Sequence, residues 1–473
     1  MKESEEIEVS KSSEWFDATL VNEKPTRLSG VVFVLLCLMM VFAVAAYGST
    51  ETWALALNSI FAGLIAFFWL LDAFFSKEFR FSSNPLQFCL VGLILIGFIQ
   101  IIPLGSLALP NDLLSTPAAN TLSVDPNITR LATIQLLIYL IFFAAAFAHL
   151  NTQKRLRRMV FFIIVFGALW SFFGIIQWLS QVGEIDQYIY GLRSVKNAFP
   201  FASFVNKHHF AGFMEMTIGL SLSLLYGEST KRDKRLFLII AVVLMGSGLI
   251  LTSSRGGVLS LLGVIGFVTF FNLIGKKAKG SEEKSAKLFS NNKFLLIGAS
   301  LALVLILFGS VIFLGGESAL IRGTGLSKEA EISNGRFHFW QTALGIIKDN
   351  PIIGTGLDSF GVAFTKYDTW NGALRVEQTH NEYLQILSDA GILGFACVVT
   401  FIFLLFRKGL RNAKQSSDRF RRGVAIGALG GCFGIMIHSF FDFPLRTPSN
   451  SLFFLMLAVL ATTTIVYPKL YRK

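Results

Sequence analysis

The feature that most constrains this chain is a succession of apolar runs separated by short polar or basic stretches. Each run is about 18–23 residues long, the length of an α-helix crossing the hydrocarbon core of a bilayer. Lipid offers no partner to a backbone amide or carbonyl, so runs of this length satisfy their own polar groups as helices. Hydropathy places spans near 30–47, 53–75, 86–104, 132–150, 158–181, 210–226, 235–251, 256–275, 294–314, 384–406, 424–442 and 450–467. The expected fold class is an all-α polytopic membrane protein with about twelve transmembrane helices.

A formal charge of +12 could point to nucleic acid, but the basic residues sit in clusters between apolar runs and report topology instead. With a cytoplasmic amino terminus, the inward side takes 30 of the 42 Lys and Arg, including KRLRR at 154–158, KRDKR at 231–235 and the basic stretch 407–422. Short-loop Lys/Arg bias sets orientation, so both termini are expected in the cytoplasm of an inner-membrane protein, with no nucleic-acid partner. Residues 1–29, which begin with Glu3, Glu5, Glu6 and Glu8, read as a solvated cytoplasmic tail without a cleavable leader. The organisation is then a tail at 1–29, amino-terminal spans at 30–199, a core at 200–405, and carboxy-terminal spans with a second tail at 406–473. Cys37, Cys89, Cys397 and Cys432 lie inside apolar runs without paired spacing, which indicates neither a disulfide framework nor zinc ligation.

On the outward side, loop 315–383 stands apart by its length and is expected to contain short helices of its own. In GRFHFWQTALGIIKDNP, Phe337, Trp340, Leu344 and Ile347 recur at helical spacing and Asn350-Pro351 ends the pattern. Such a helix could lie along the outer membrane surface or pack on the bundle. No internal repeat relates the two halves, unlike a carrier of the major facilitator type.

Several outward residues could carry chemistry. Arg255, in TSSRGG, begins the eighth span, where Gly256 and Gly257 allow close approach of a backbone or ligand; the alternative is an arginine reaching to lipid headgroups. Thr379-x-x-Glu382 matches a capping box that would put His380 in the first turn of the tenth span. There the helix amides and dipole could hold an anion and keep the imidazole neutral, as a general base requires. In IHSFFDFPLRTPSN, His438 and Asp442 are four apart, so the acid could orient the imidazole or simply stabilise a helix end; Arg446 follows in the turn. Arg336, Arg322 and Lys207, with His208 and His209, complete the outward basic set. The glycines of GTGLDSFG lack the context of a phosphate loop.

Arginines, an imidazole and a membrane-hugging loop over an apolar bundle suit an amphiphile with an anionic headgroup. No carboxylate cluster of metal-ligand type is expected outside, so neither a metal nor a cofactor is implied, and paired arginines could stabilise a leaving diphosphate.

SSRGG at the start of a span, GRFHFWQTAL followed by NPIIGTGLDSF, THNEYLQILSDAGILG and HSFFDFPLRTP together resemble the O-antigen ligase and O-antigen polymerase superfamily, which includes protein O-oligosaccharyltransferases. The resemblance covers about residues 200–405 and the element near the end. It implies metal-independent, inverting glycosyl transfer at the periplasmic face, from an undecaprenyl-diphosphate-linked glycan donor to a glycan or lipid A core acceptor. By position in the matching motifs, it implies His380 as base and Arg255 and Arg336 on the diphosphate. Ligase or polymerase is the preferred reading and a protein O-oligosaccharyltransferase the alternative; a lipid-linked glycan flippase or an anion transporter is the alternative from another class.

Overall fold

The computed structural model describes residues 26–104, 120–181, 187–195, 199–227, 232–274, 335–370 and 376–464, with single positions at Gly298 and Leu301. Each expected span except the ninth coincides with a described helix; the ninth span and Arg322 lie outside the described residues. The helices are α1 (Arg27–Ala45), α2 (Thr52–Ser76), α3 (Leu86–Ile101), α4 (Pro126–His149), α5 (Gln153–Ser180), α6 (Lys207–Tyr226), α7 (Arg232–Leu251), α8 (Arg255–Ile274), α9 (Arg336–Asp349), α10 (Phe360–Tyr367), α11 (Glu382–Gln415), α12 (Arg419–His438) and α13 (Pro448–Thr462). Eight of the described helices are long and apolar enough to cross a membrane. A small antiparallel hairpin, β1 (Gln187–Ile189) with β2 (Arg193–Val195), departs from the all-helical expectation.

Helix starts follow their capping chemistry. Thr26 accepts from Ser29 N at 3.0 Å, Asp418 from Phe420 N at 3.0 Å, and Asp125 from the amides of Asn127 and Ile128, with Pro126 at the first helical position of α4. Outside these caps the helices are apolar almost all round, and faces such as Phe67, Leu70 and Phe74 of α2 remain exposed. That distribution suits helices whose outer surface meets lipid.

At the centre, α6 and α12 pack nearly backbone to backbone. A β-carbon on Gly219 would come within 2.6 Å of the Gly427 carbonyl, and one on Gly431 within 2.5 Å of the Met216 carbonyl. Small residues let membrane helices approach this closely, where packing rather than water exclusion holds them together. The result is a rigid axle, and residues near its end inherit fixed positions.

In contrast, α11 is broken. Gly391 takes φ 61° and ψ −163°, and the segment 351–356 fills the break. Ile392 N donates to the Pro351 carbonyl at 2.8 Å, Thr355 N to Ser388 at 2.9 Å and Gly356 N to Asp389 at 3.0 Å. Gln100 of α3 adds bonds to the carbonyls of Ile353 and Asp389 and accepts from Leu357 N. Interrupted helices survive in membranes only when the freed backbone groups are satisfied again. The glycines of GTGLDSFG belong to this splice: Gly354 and Gly356 have φ of 77° and 120° and lie against the backbone of α11 and the hydroxyls of Ser123 and Thr129.

The expected helix of the long loop is α9, and α10 is a second. Phe339, Ala343 and Ile346 of α9 pack on Phe360 and Phe364 of α10, while Phe337 and Leu344 stay exposed on the other side. One face is thus docked on protein and the other carries the aromatic and aliphatic residues suited to a bilayer surface.

Candidate active site

The amino-terminal ends of α6, α8, α9 and α11 meet the turn between α12 and α13, and Asp442 lies at the focus. Past His438, the amides of Phe441 and Asp442 both return to the His438 carbonyl, so the chain curls once more before Pro444 redirects it. Asp442 is thereby tucked inward, with its side chain 2% exposed. Its Oδ1 accepts from Phe443 N at 2.9 Å and lies 3.2 Å from His380 Nδ1; its Oδ2 lies 3.6 Å from an Arg336 nitrogen and 4.0 Å from His208 Nδ1. Burial by itself would raise this carboxyl, but the His380 hydrogen bond and the imidazoles of His208, His380 and His209 outweigh it and hold the group below the usual carboxylate range.

His380 is placed differently from the sequence expectation. Asn381, not Thr379, caps α11: its side chain accepts from Tyr383 N and Leu384 N, while Thr379 bonds the backbone of Asn381 and Glu382 turns away to accept from Leu445 N. His380 therefore precedes the helix, in a left-handed conformation with φ 52°. Glu382 N is also taken, by the Ser439 carbonyl at 2.9 Å, so the first amides of α11 are not available to an anion. What fixes the imidazole is Asp442 together with the rings of Phe339 and Phe443, whose centroids lie 6.1 and 4.8 Å away. With Nδ1 donating to the acid, Nε2 carries the lone pair, and the side chain is 31% exposed. A strained backbone at a reachable side chain costs about 1–3 kcal/mol and is the kind of cost that active sites carry.

The remaining pairings also depart from the sequence. His438 is oriented not by Asp442 but by Glu215 of α6, with Nδ1 3.3 Å from Oε1 and both side chains almost wholly buried. Glu215 escaped the sequence reading although a signal was there: it is the one acid inside the apolar helix HHFAGFMEMTIGLSLSLLY, and an ionisable group in such a position ordinarily has a named partner. Gly256 is what lets His438 in, because a β-carbon there would lie 2.9 Å from the imidazole Cδ2. Gly257 makes room for Ala211 in the same way.

Three of the expected cations gather at this end. Arg255 is exposed at the first position of α8, next to Ser254, whose hydroxyl accepts from Gly257 N and lies 2.8 Å from His208 Nδ1. Arg336 opens α9 behind Gly335, and Lys207 opens α6 with its ammonium over the Phe199 ring. Arg446, by contrast, is engaged: Asp358 and Asp389 hold its guanidinium at 2.6 Å each, and Glu382 lies 3.7 Å away. Those three acids raise its pKa against the opposing effect of burial, which comes first in size. Arg446 ties the 351–358 segment, the start of α11 and the Pro444–Arg446 turn into one block. His209 bonds Thr447 and presents its ring edge to Phe443, which also serves the scaffold.

The arrangement provides a hydrogen-bonded imidazole with one open nitrogen, Arg336 beside its acid, and Arg255 exposed at the start of α8. Comparison with curated proteins gives no match. Residues 240–399, about a third of the chain, match the model of the O-antigen ligase family, and this stretch contributes Arg255, Arg336 and His380 to the site. The chain is a multi-pass membrane protein, and the match over residues 240–399 supports the O-antigen ligase and polymerase superfamily.

Proposed function

We propose that the protein transfers a saccharide from an undecaprenyl-diphosphate-linked donor to a hydroxyl of an acceptor glycan, as an O-antigen ligase or polysaccharide polymerase. The site would face the periplasm, with both termini in the cytoplasm, as the Lys/Arg distribution supports. The observation that carries the reading is the His380–Asp442 pair set beside Arg336, with His380 and Arg336 both in the segment that matches the family.

His380 Nε2 takes the proton of the acceptor hydroxyl as its oxygen attacks the anomeric carbon. The bond from that carbon to the diphosphate oxygen breaks, and the electron pair leaves with the lipid diphosphate. Attack opposite the departing group inverts the anomeric centre. Arg255 and Arg336 meet the charge that grows on the diphosphate, a task guanidinium groups perform through paired hydrogen bonds without a metal. Asp442 keeps the imidazole in the tautomer that exposes Nε2 and stabilises the imidazolium that forms. Phe337 and Leu344 of α9, exposed at the same end, offer apolar contact to the membrane around a lipid carrier.

The test is transfer by purified protein in lipid, supplied with an undecaprenyl-diphosphate-linked oligosaccharide and an acceptor glycan. His380→Ala should abolish product while donor binding persists; an unchanged rate would overturn the role of His380. In cells lacking the protein, accumulation of finished lipid-linked polymer marks a ligase, and accumulation of single repeat units marks a polymerase.

A further inference from the structure

Behind His380, Asp442 also faces a second set of groups, His208, His438 and Glu215, that this transfer does not use. His438 Nδ1 is held by Glu215, yet its Nε2 is buried and has no hydrogen-bond partner. Asp442 Oδ2 is likewise buried without a hydrogen bond, since Arg336 stands 3.6 Å away. One atom each of His208, His438 and Asp442 lies within 4.8 Å of the others. Two orphaned polar atoms in an interior are costly, and their convergence with a third donor calls for a shared ligand.

We propose that His208, His438 and Asp442 form a binding site for a divalent transition cation of the Zn2+ class, and that its occupation suppresses glycosyl transfer. Two imidazoles and a carboxylate are a usual donor set for such ions, whereas Mg2+ and Ca2+ call for oxygen-rich shells. The carboxylate–imidazole contact of Glu215 and His438 has the form of an outer support that fixes the ligating tautomer, leaving Nε2 for the metal. His208, the second residue of α6, is the most exposed of the three, with 28% of its side chain accessible. Zn–N bonds of about 2.0–2.1 Å in a tetrahedral shell place ligand atoms about 3.3–3.4 Å apart, so donors that now lie within 4.8 Å of one another must draw together by up to about 1.4 Å as the ion binds.

Suppression follows from the shared carboxylate, and this half of the proposal rests on the reading of His380 as base. Asp442 supports His380 through Oδ1. A dication bound at Oδ2 draws charge from that carboxylate and weakens the basicity it lends to the imidazole.

The experiment uses tag-free full-length protein in lipid, cleared of metal with a chelator. Zn2+ is titrated by calorimetry, and Co2+ by visible absorption. One equivalent should bind, with Co2+ giving the intense bands of a low-coordinate site. His208→Ala should weaken binding at least tenfold, and Glu215→Gln by about 10–100-fold. Absence of stoichiometric binding to the unaltered protein, or equal affinity in His208→Ala with intact monodisperse protein, overturns the site. Transfer should fall over the Zn2+ range in which calorimetry shows saturation, and His208→Ala should need at least tenfold more Zn2+. Full transfer at saturating Zn2+ overturns the suppression. Stoichiometric binding by protein that transfers nothing under metal-free conditions would instead count against the transferase reading alone.

Discussion

Among the acid–histidine pairs of the described residues, His380–Asp442 and His438–Glu215 lie close together and differ in almost every respect but composition. His380–Asp442 joins a loop residue to a turn, is partly open and leaves a nitrogen available. His438–Glu215 joins two core helices packed through glycines and is sealed, with 1% and 0% of the side chains exposed. The contrast teaches that a histidine and a carboxylate do not by themselves make a catalytic pair. Access decides, and access here is set by whether the imidazole stands on a rigid helix axle or on the strained residue before a helix. A sealed pair can position a ligand or brace a core, but no solute from outside reaches it.

Breaking each pair in turn should separate the two roles. The largest effect is expected from His380→Ala, which should lower transfer about 100- to 10,000-fold, the usual contribution of positioned proton transfer; donor binding, measured separately, should stay within a few-fold. Asp442→Asn should fall toward the lower end of that range, about 100-fold, since the imidazole remains but loses its tautomeric support. Glu215→Ala should act on stability instead. Stranding a buried partner costs about 3–5 kcal/mol, visible as a lower unfolding temperature in detergent, with transfer per folded molecule falling far less than in His380→Ala. Arg255→Lys should reduce transfer about tenfold, because an ammonium loses one of two charge-assisted hydrogen bonds, each worth about 1.5–3 kcal/mol.

The smallest effect concerns pH. The folded-state pKa of Asp442 is depressed, so the stability it contributes is present above the ordinary carboxylate range and is lost only as pH falls through its folded value beneath that range. Acidification from pH 8 to about 5 should therefore leave the Asp442 carboxylate charged and the stability it contributes intact. An unfolding temperature that falls over that range in the unaltered protein but not in Asp442→Asn would contradict this assignment.

How much of this was legible before the structure depends on the range of the interaction. Eleven of the twelve expected spans were, each coinciding with a described helix, because bilayer thickness imposes a length on an apolar run and each run signals alone. So was α9, whose periodicity lies within fourteen residues. The cap of α11 was misread because Thr379 and Asn381 both suit an N-cap, and only the positive φ of His380 decides between them. Pairings between distant segments left no local trace: Glu215 and His438 are 223 residues apart, and their contact exists because Gly219, Gly427 and Gly431 bring α6 against α12. His438 and Asp442 do lie near one another, as their spacing suggested, but each took a partner from another element. The break in α11 was invisible for a further reason: Gly391 in an apolar run reads as a tolerated helical glycine until another backbone is seen lying against it.

That break also governs how the molecule can be re-engineered. The tract leading into α11 is mortised into the helix at Gly391, so its ends cannot be cut as though a detachable cap hung from the bundle. A chimera that imports this tract from a relative must bring both faces of the joint, 351–356 and 388–393, from the same parent. Donors that differ only above the joint should exchange freely, and those that differ within it should yield protein that fails to assemble.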